Sequence, residues 1–210
     1  MVTGQTTPAT AAAAYTFDLS GGRLCLDFAN TVSNRGSDAP ADHLGSYGDF
    51  AAWAGQSGAA PPAIARELAR QAAAHPAAAR SALAHAIALR EALYRILAAA
   101  AGGRKPRPAG LALLNDQVPA AFARSRLSPA DGRFVVKVEA AADDLLSPLA
   151  AVVKSAVDLL TSSDLERVRA CAADTCEWLF IDTTKNRTRR WCDMKVCGNR
   201  AKVRRFRGQA

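Results

Sequence analysis

Four cysteines crowd the last forty residues of the chain: Cys171, Cys176, Cys192 and Cys197. They form two pairs, each with four residues between its members, and fifteen residues separate the pairs. Two cysteine pairs across a short loop can assemble a tetrahedral four-sulfur cage for zinc. Each thiol binds the metal as a thiolate, so metal binding and deprotonation are coupled. Two disulfides are the competing reading. Met1 to Ala14 has no basic n-region and no Leu-rich apolar core, and no window reaches the ~18 apolar residues of a membrane span. A cytoplasmic chain is expected, and a reducing compartment keeps thiols for metals or chemistry. The expectation is therefore one structural Zn2+ per chain. On a continuous helix, residues i and i+5 lie about 140° apart, so each pair needs a turn or a loop meeting a helix end.

The charge follows the cysteines. Of a net +8, residues 165–210 carry 12 Lys/Arg against 5 Asp/Glu, and residues 1–164 carry 15 against 14. A near-neutral globule with a basic tail module points to a polyanion, most simply nucleic acid, or to an anionic surface. The bland reading is a solvated basic face. The candidate nucleic-acid contacts are Arg189, Arg190, Arg200, Lys202, Arg204, Arg205 and Arg207. Arg200, Arg204 and Arg207 share a helical face, and no nearby acidic residue is expected to neutralise them. Arg189 or Arg190 could instead brace Asp182 or Asp174. Trp178 and Trp191 read as core of the small module rather than as base-stacking surfaces.

The chain divides into three segments. Residues 1–14 read as a disordered tail, 15–162 as a mainly helical domain and 165–207 as the finger. Leu24 to Thr31 fits a strand or a helix. Ser46 or Asp49 is expected to cap a short helix, Pro61-Pro62 to open another, and residues 77–101 to form a long one ended by Gly102-Gly103. Glu91 and Arg95 are spaced as an i,i+4 pair. Arg104 to Arg107 is a basic loop, and Leu111 to Phe122 a helix despite Pro119. A β-hairpin turns at Asp131-Gly132, with Phe134, Val136 and Val138 on one face. A last long helix is expected to start at Asp143-Asp144, followed by either a capping box of Ser163 with Glu166 or simply a turn. In the finger, 178–182 and 188–192 are expected to pair as strands. A helix from Lys195 follows, packing Val196, Val203 and Phe206 on the hairpin. The fold class is thus α+β: a mainly helical N-terminal domain with a β-hairpin, then a small treble-clef-like four-cysteine zinc finger.

Cys171 to Asp182, Arg189 to Met194 and Cys197-Gly198-Asn199-Arg200-Ala201-Lys202 closely resemble the bacterial CGNR zinc-finger family. Leu26-Asp27-Phe28-Ala29-Asn30-Thr31, with Leu44, Tyr47 and Trp53, resembles the ABATE domain that usually precedes this finger. The resemblance implies a stress-related transcriptional regulator with a C-terminal DNA-binding finger. Glu177 stands where a glycine is common in the family.

In the large domain, Arg23, Asp27, Asn30 and Arg35 either line a ligand pocket or are satisfied structural groups. Cys25 reads as a small core residue, and Asn199 as a cap or partner of the thiolates. No Ser-His-Asp set, P-loop, GxGxxG or HExxH is present, and four cysteines leave zinc no open position. The chain is not expected to be an enzyme. The expectation is a transcriptional regulator whose first domain senses a small-molecule ligand or forms a homodimer. The alternatives are an RNA-binding protein and a thiol/zinc redox switch.

Overall fold

Phe28, Phe50 and Trp53 meet at the centre of the helical part, with the Phe28 and Trp53 ring centroids 4.8 Å apart. All three are fully buried, and the elements that carry them are arranged around this cluster. The structure is a computed structural model describing residues 15–208; the tail expected over 1–14 lies outside the described residues.

The segment that fitted two patterns is a helix, α1 (Leu24–Ala29). It buries Cys25, Leu26 and Phe28 together, which strand alternation could not do. A short ladder follows, β1 (Val32–Ser33) against β2 (Ala41–Asp42). Ser46 then caps α2 (Tyr47–Ser57). Its side chain accepts from the Asp49 N–H and the Asp49 carboxylate accepts from the Ser46 N–H, a reciprocal capping box. Gly58 closes α2 in the left-handed conformation. Prolines open α3 (Pro62–Ala74), α4 (Pro76–Ala101) and α5 (Pro108–Ala123). The long α4 is the central post and touches α1, α2, α3 and α5.

The hairpin β3 (Ser125–Ala130) and β4 (Arg133–Val138) turns at Asp131 and Gly132, both at positive φ. Its register places Leu127 opposite Val136 and Pro129 opposite Phe134. Val138 packs on the core, whereas Leu127 and Phe134 remain 68% and 73% exposed. The last core helix, α6 (Pro148–Leu160), starts later than Asp143-Asp144 suggested. Asp144 is spent instead on the Leu146 N–H and on Arg124. Ser162, rather than Ser163, caps the 3₁₀ turn Ser163–Arg167.

Glu91 does not pair with Arg95; it holds Arg35 through two oxygens at 2.9 Å and Arg90 at 3.0 Å. Arg90 is only 2% exposed, and it grips Asp42 with two contacts of 2.7 Å. Arg35 also donates to the Ala29 carbonyl and lies over the Tyr94 ring. This network fastens the β1–β2 region to α4. A buried guanidinium must be satisfied on several sides, so it fixes the geometry of all its partners.

In the finger, β5 (Val168–Ala170) pairs antiparallel with β6 (Leu179–Ile181). Residues 188–192, expected as the second strand, run without regular pairing. Both edges of β6 are already taken, one by β5 and the other by Asn30 and Gly21 of the helical part. Val168, Leu179 and Ile181 are buried in the core of the helical part, which therefore extends across both halves of the chain.

Candidate metal centre and basic face

Each cysteine pair solves its spacing differently. Cys171 leaves β5 with its N–H donating to the Trp178 carbonyl, and the chain turns so that Cys176 N–H reaches Ala173. The turn closes with Glu177 at φ 55°, the left-handed region that favours glycine. The second pair uses a widened turn. Met194–Gly198 is a single π-turn, opened by the Asp193 carboxylate accepting from the Lys195 and Val196 N–H groups. The five-residue reach of its hydrogen bonds, Gly198 to Asp193 and Asn199 to Met194, brings Cys197 round to Cys192. From there α7 (Asn199–Phe206) continues directly, so its first turn is fixed by the last sulfur ligand.

All four sulfurs lie within 4.8 Å of one another. Cys176 and Cys192 are 3.7 Å apart and Cys192 and Cys197 3.6 Å. A tetrahedron with bonds of about 2.3 Å has edges of roughly 3.8 Å, so the cage has the dimensions of a zinc site. The Cys192 N–H points at Cys171 Sγ at 3.4 Å. As thiols the four compete. Hydrogen bonds from Cys176 and Cys192 hold the Cys171 thiol well below its ordinary range, while its contact with Cys171 pushes Cys192 far up. Only a cation allows all four to ionise together. The cysteines are 3–9% exposed and pack with Phe180, Trp178 and Trp191, so the tryptophans serve as core.

The arginines separate into two groups. Arg189 is a brace: its guanidinium donates to the carbonyls of Trp191, Cys192 and Ile181 and lies over the Phe180 ring. Its N–H also binds the buried Asp182. Arg204 was expected to be free of acidic neighbours, but it pairs with Asp174 of the first cysteine turn. That contact joins α7 to the opposite side of the cage. Arg190, Arg200, Lys202, Arg205 and Arg207 are exposed. Among the described residues none of these five has an acidic partner. Arg190, Arg200, Arg204 and Arg205 surround a cavity of about 330 Å³ with Trp191 at its wall.

Val196, Val203 and Phe206 do not pack on the hairpin; Phe206 is 93% exposed. The sulfurs, Phe180 and the two tryptophans already fill the small interior. Asn199 donates to the Lys195 carbonyl and touches no sulfur.

The four polar residues of the large domain each have protein partners. Arg23 pairs with Asp164. Asp27 accepts from the Gly21 N–H, and burial raises its carboxyl to about 6. Asn30 holds the Leu179 backbone, and Arg35 belongs to the α4 network. Cys25 is fully buried, its thiol pushed up to about 11 by that burial.

The finger is tied to the helices at further points. Trp178 Nε1 donates to the Val32 carbonyl at 2.8 Å. Gly36 N–H reaches Thr175, and Ile181 N–H reaches Gly21. Tyr94 on α4 donates to Glu177. These partners are 83 to 160 residues apart in the sequence, so no local pattern could announce them.

A family model described as "Putative stress-induced transcription regulator", the ABATE domain, matches residues 22–163. The chain belongs to the ABATE family. A second model, the CGNR zinc finger, matches residues 167–210. No match was found among curated proteins. The CGNR match and the sulfur cage together give the ABATE protein a structural zinc ion held by Cys171, Cys176, Cys192 and Cys197. No helix among the described residues is long and apolar enough to cross a membrane.

Proposed function

We propose that this ABATE protein is a DNA-binding transcriptional regulator that carries out no catalysis. Its CGNR finger lays α7 on the duplex, and its helical part conveys a ligand or stress signal to the finger. The observation that carries the reading is the exposure of Arg200, Lys202, Arg205 and Arg207 on a helix whose first turn is set by the zinc ligand Cys197. Eight residues of helix extend about 12 Å, comparable with the width of the major groove. The burial of the four cysteines weighs toward a structural clip rather than a redox switch.

The test is a salt titration of duplex binding by fluorescence anisotropy. Four neutralised phosphates give a slope of log K against log salt of about −3.6. Arg200→Ala, Arg205→Ala and Arg207→Ala should each reduce that slope by about one unit where they meet a phosphate, or relax sequence preference where they meet a base. Arg204→Ala should act mainly through stability, because it removes the tie to Asp174. Equal weak binding by the wild type and an Arg200→Ala/Arg205→Ala/Arg207→Ala variant defeats the proposal. Tighter binding to single-stranded RNA than to duplex DNA replaces it with an RNA-binding role.

A further inference from the structure

The last two turns of α4 form the floor of a cleft of about 700 Å³ whose far wall belongs to the finger. The volume lies within the ordinary range for small-molecule sites, roughly 300–1,000 Å³. Ala98, Ala99 and Ala101 give the floor an apolar, nearly flat surface. Arg95, Arg104, Lys105 and Arg107 stand around it, and the finger contributes Ala170, Cys171 and Glu177. Four cations thus face one carboxylate.

None of the four cations has an acidic partner among the described residues. The reason is clear for Arg95: Glu91, one turn away, is held by Arg35 and Arg90. Nor does the end of α4 need the cations as a cap. The Ala98, Ala99 and Ala100 carbonyls already accept from the N–H groups of Gly102, Arg104 and Gly103. The helix dipole favours positive charge at this end, but its effect falls off within the last turn and does not call for four unpaired cations around one cleft.

We propose that the cleft between α4 and the first cysteine turn binds a small organic anion with an apolar body. The body lies on the alanine floor, and its carboxylate or other acidic group meets Arg104, Lys105 and Arg107. A bare inorganic anion would leave the floor unused, and a wholly apolar molecule would bury the rim charges without partners. A nucleic-acid duplex is convex and could touch the rim but not the floor. The ligand touches both the ABATE helix and the residues beside zinc ligand Cys171, so it can bias how the finger is held. That consequence rests on the regulatory function proposed above; occupancy of the cleft does not.

Isothermal titration calorimetry on the zinc-loaded full chain, without nucleic acid, tests the site. The probes are 2-naphthoate, the uncharged 2-naphthamide and inorganic phosphate. Naphthoate should bind at least about tenfold more tightly than either of the others, a difference within reach of one charge-assisted contact. The Arg104→Ala/Arg107→Ala variant should lose about tenfold in naphthoate affinity, and Ala99→Glu should abolish binding by filling the floor with a like charge. Should Ala99→Glu fail to fold, the double arginine variant decides, since both its changes are at exposed positions. Equal affinity for naphthoate and naphthamide, phosphate binding as tight as naphthoate, or an unaffected double variant overturns the proposal. Failure here leaves the salt titration of the α7 variants untouched, and failure of that titration leaves the cleft untouched.

Discussion

Asn30 engages both backbone hydrogen-bonding groups of Leu179. Its carboxamide nitrogen donates to the Leu179 carbonyl at 2.8 Å, and its oxygen accepts from the Leu179 N–H at 2.9 Å. Both residues are buried, and 149 positions separate them in the chain. A side-chain amide that mimics a neighbouring strand thus completes β6 from the helical side. Asn30→Ala leaves a buried donor and a buried acceptor unmet. The expected cost is about 3 kcal/mol, read as a lowered urea midpoint. A loss below about 0.5 kcal/mol would mean that water replaces the carboxamide at no cost.

Zinc removal should be local. Val168, Leu179 and Ile181 lie in the main core and do not depend on the sulfurs for burial. Chelation, or Cys192→Ser, should release the metal and strip hydrogen-exchange protection from residues 183–208. The amides of α1 to α6 should stay protected. Collapse of the whole helical signal on chelation contradicts this expectation.

Stability should fall as pH rises through the Asp27 titration. Burial raises the folded carboxyl to about 6, above the ordinary value near ~3.9. The folded state therefore binds this proton more tightly than the unfolded state. Its stabilising contribution is fully present below about pH 4 and is lost as pH rises through about 6. Asp27→Asn keeps an acceptor for the Gly21 N–H without a charge. It should be more stable than wild type by about 2 kcal/mol at pH 8, with the difference vanishing near pH 4. A constant difference between the two proteins across that window would remove Asp27 as the cause.

Much of this was legible along the chain because the signals are local. The Ser46 capping box, the Asp131-Gly132 turn, the proline helix starts and the four-sulfur set all declare themselves within a few residues. The misreadings have a common physical origin in distant partners. Residues 188–192 carry a strand pattern, but β5 takes one edge of β6 and the distant Asn30 and Gly21 take the other. Glu91 looked like a partner for Arg95, yet Arg35 and Arg90 approach it in a buried setting where the pairing is stronger. Arg204 looked free because Asp174 is thirty residues upstream. Arg104 to Arg107 were legible as a charged loop, but only the fold brings them beside the finger.

Glu177→Gly should stabilise the chain. A non-glycine residue at φ 55° carries about 1 kcal/mol of strain. Tyr94 can still donate to the residue 177 carbonyl after the change, so only the contact with the carboxylate is lost. The expected gain is about 0.5 kcal/mol in thermal or urea unfolding. Removing the carboxylate should also tighten naphthoate binding in the cleft, whereas Tyr94→Phe should leave the charge balance there unchanged. Destabilisation by Glu177→Gly that matches Tyr94→Phe would show that the hydrogen bond outweighs the strain.

The strands β5 and β6 bury Val168, Leu179 and Ile181 in a core built by other parts of the chain. A segment cut at residue 167 and grafted to a foreign carrier would bring the sulfur cage and also a raw apolar flank. Recombination at that point yields two defective products, one with an uncovered hole and one with an uncovered edge. The finger is consequently a poor unit for domain shuffling. Selection on such a fold keeps the two segments in one reading frame, inherited together.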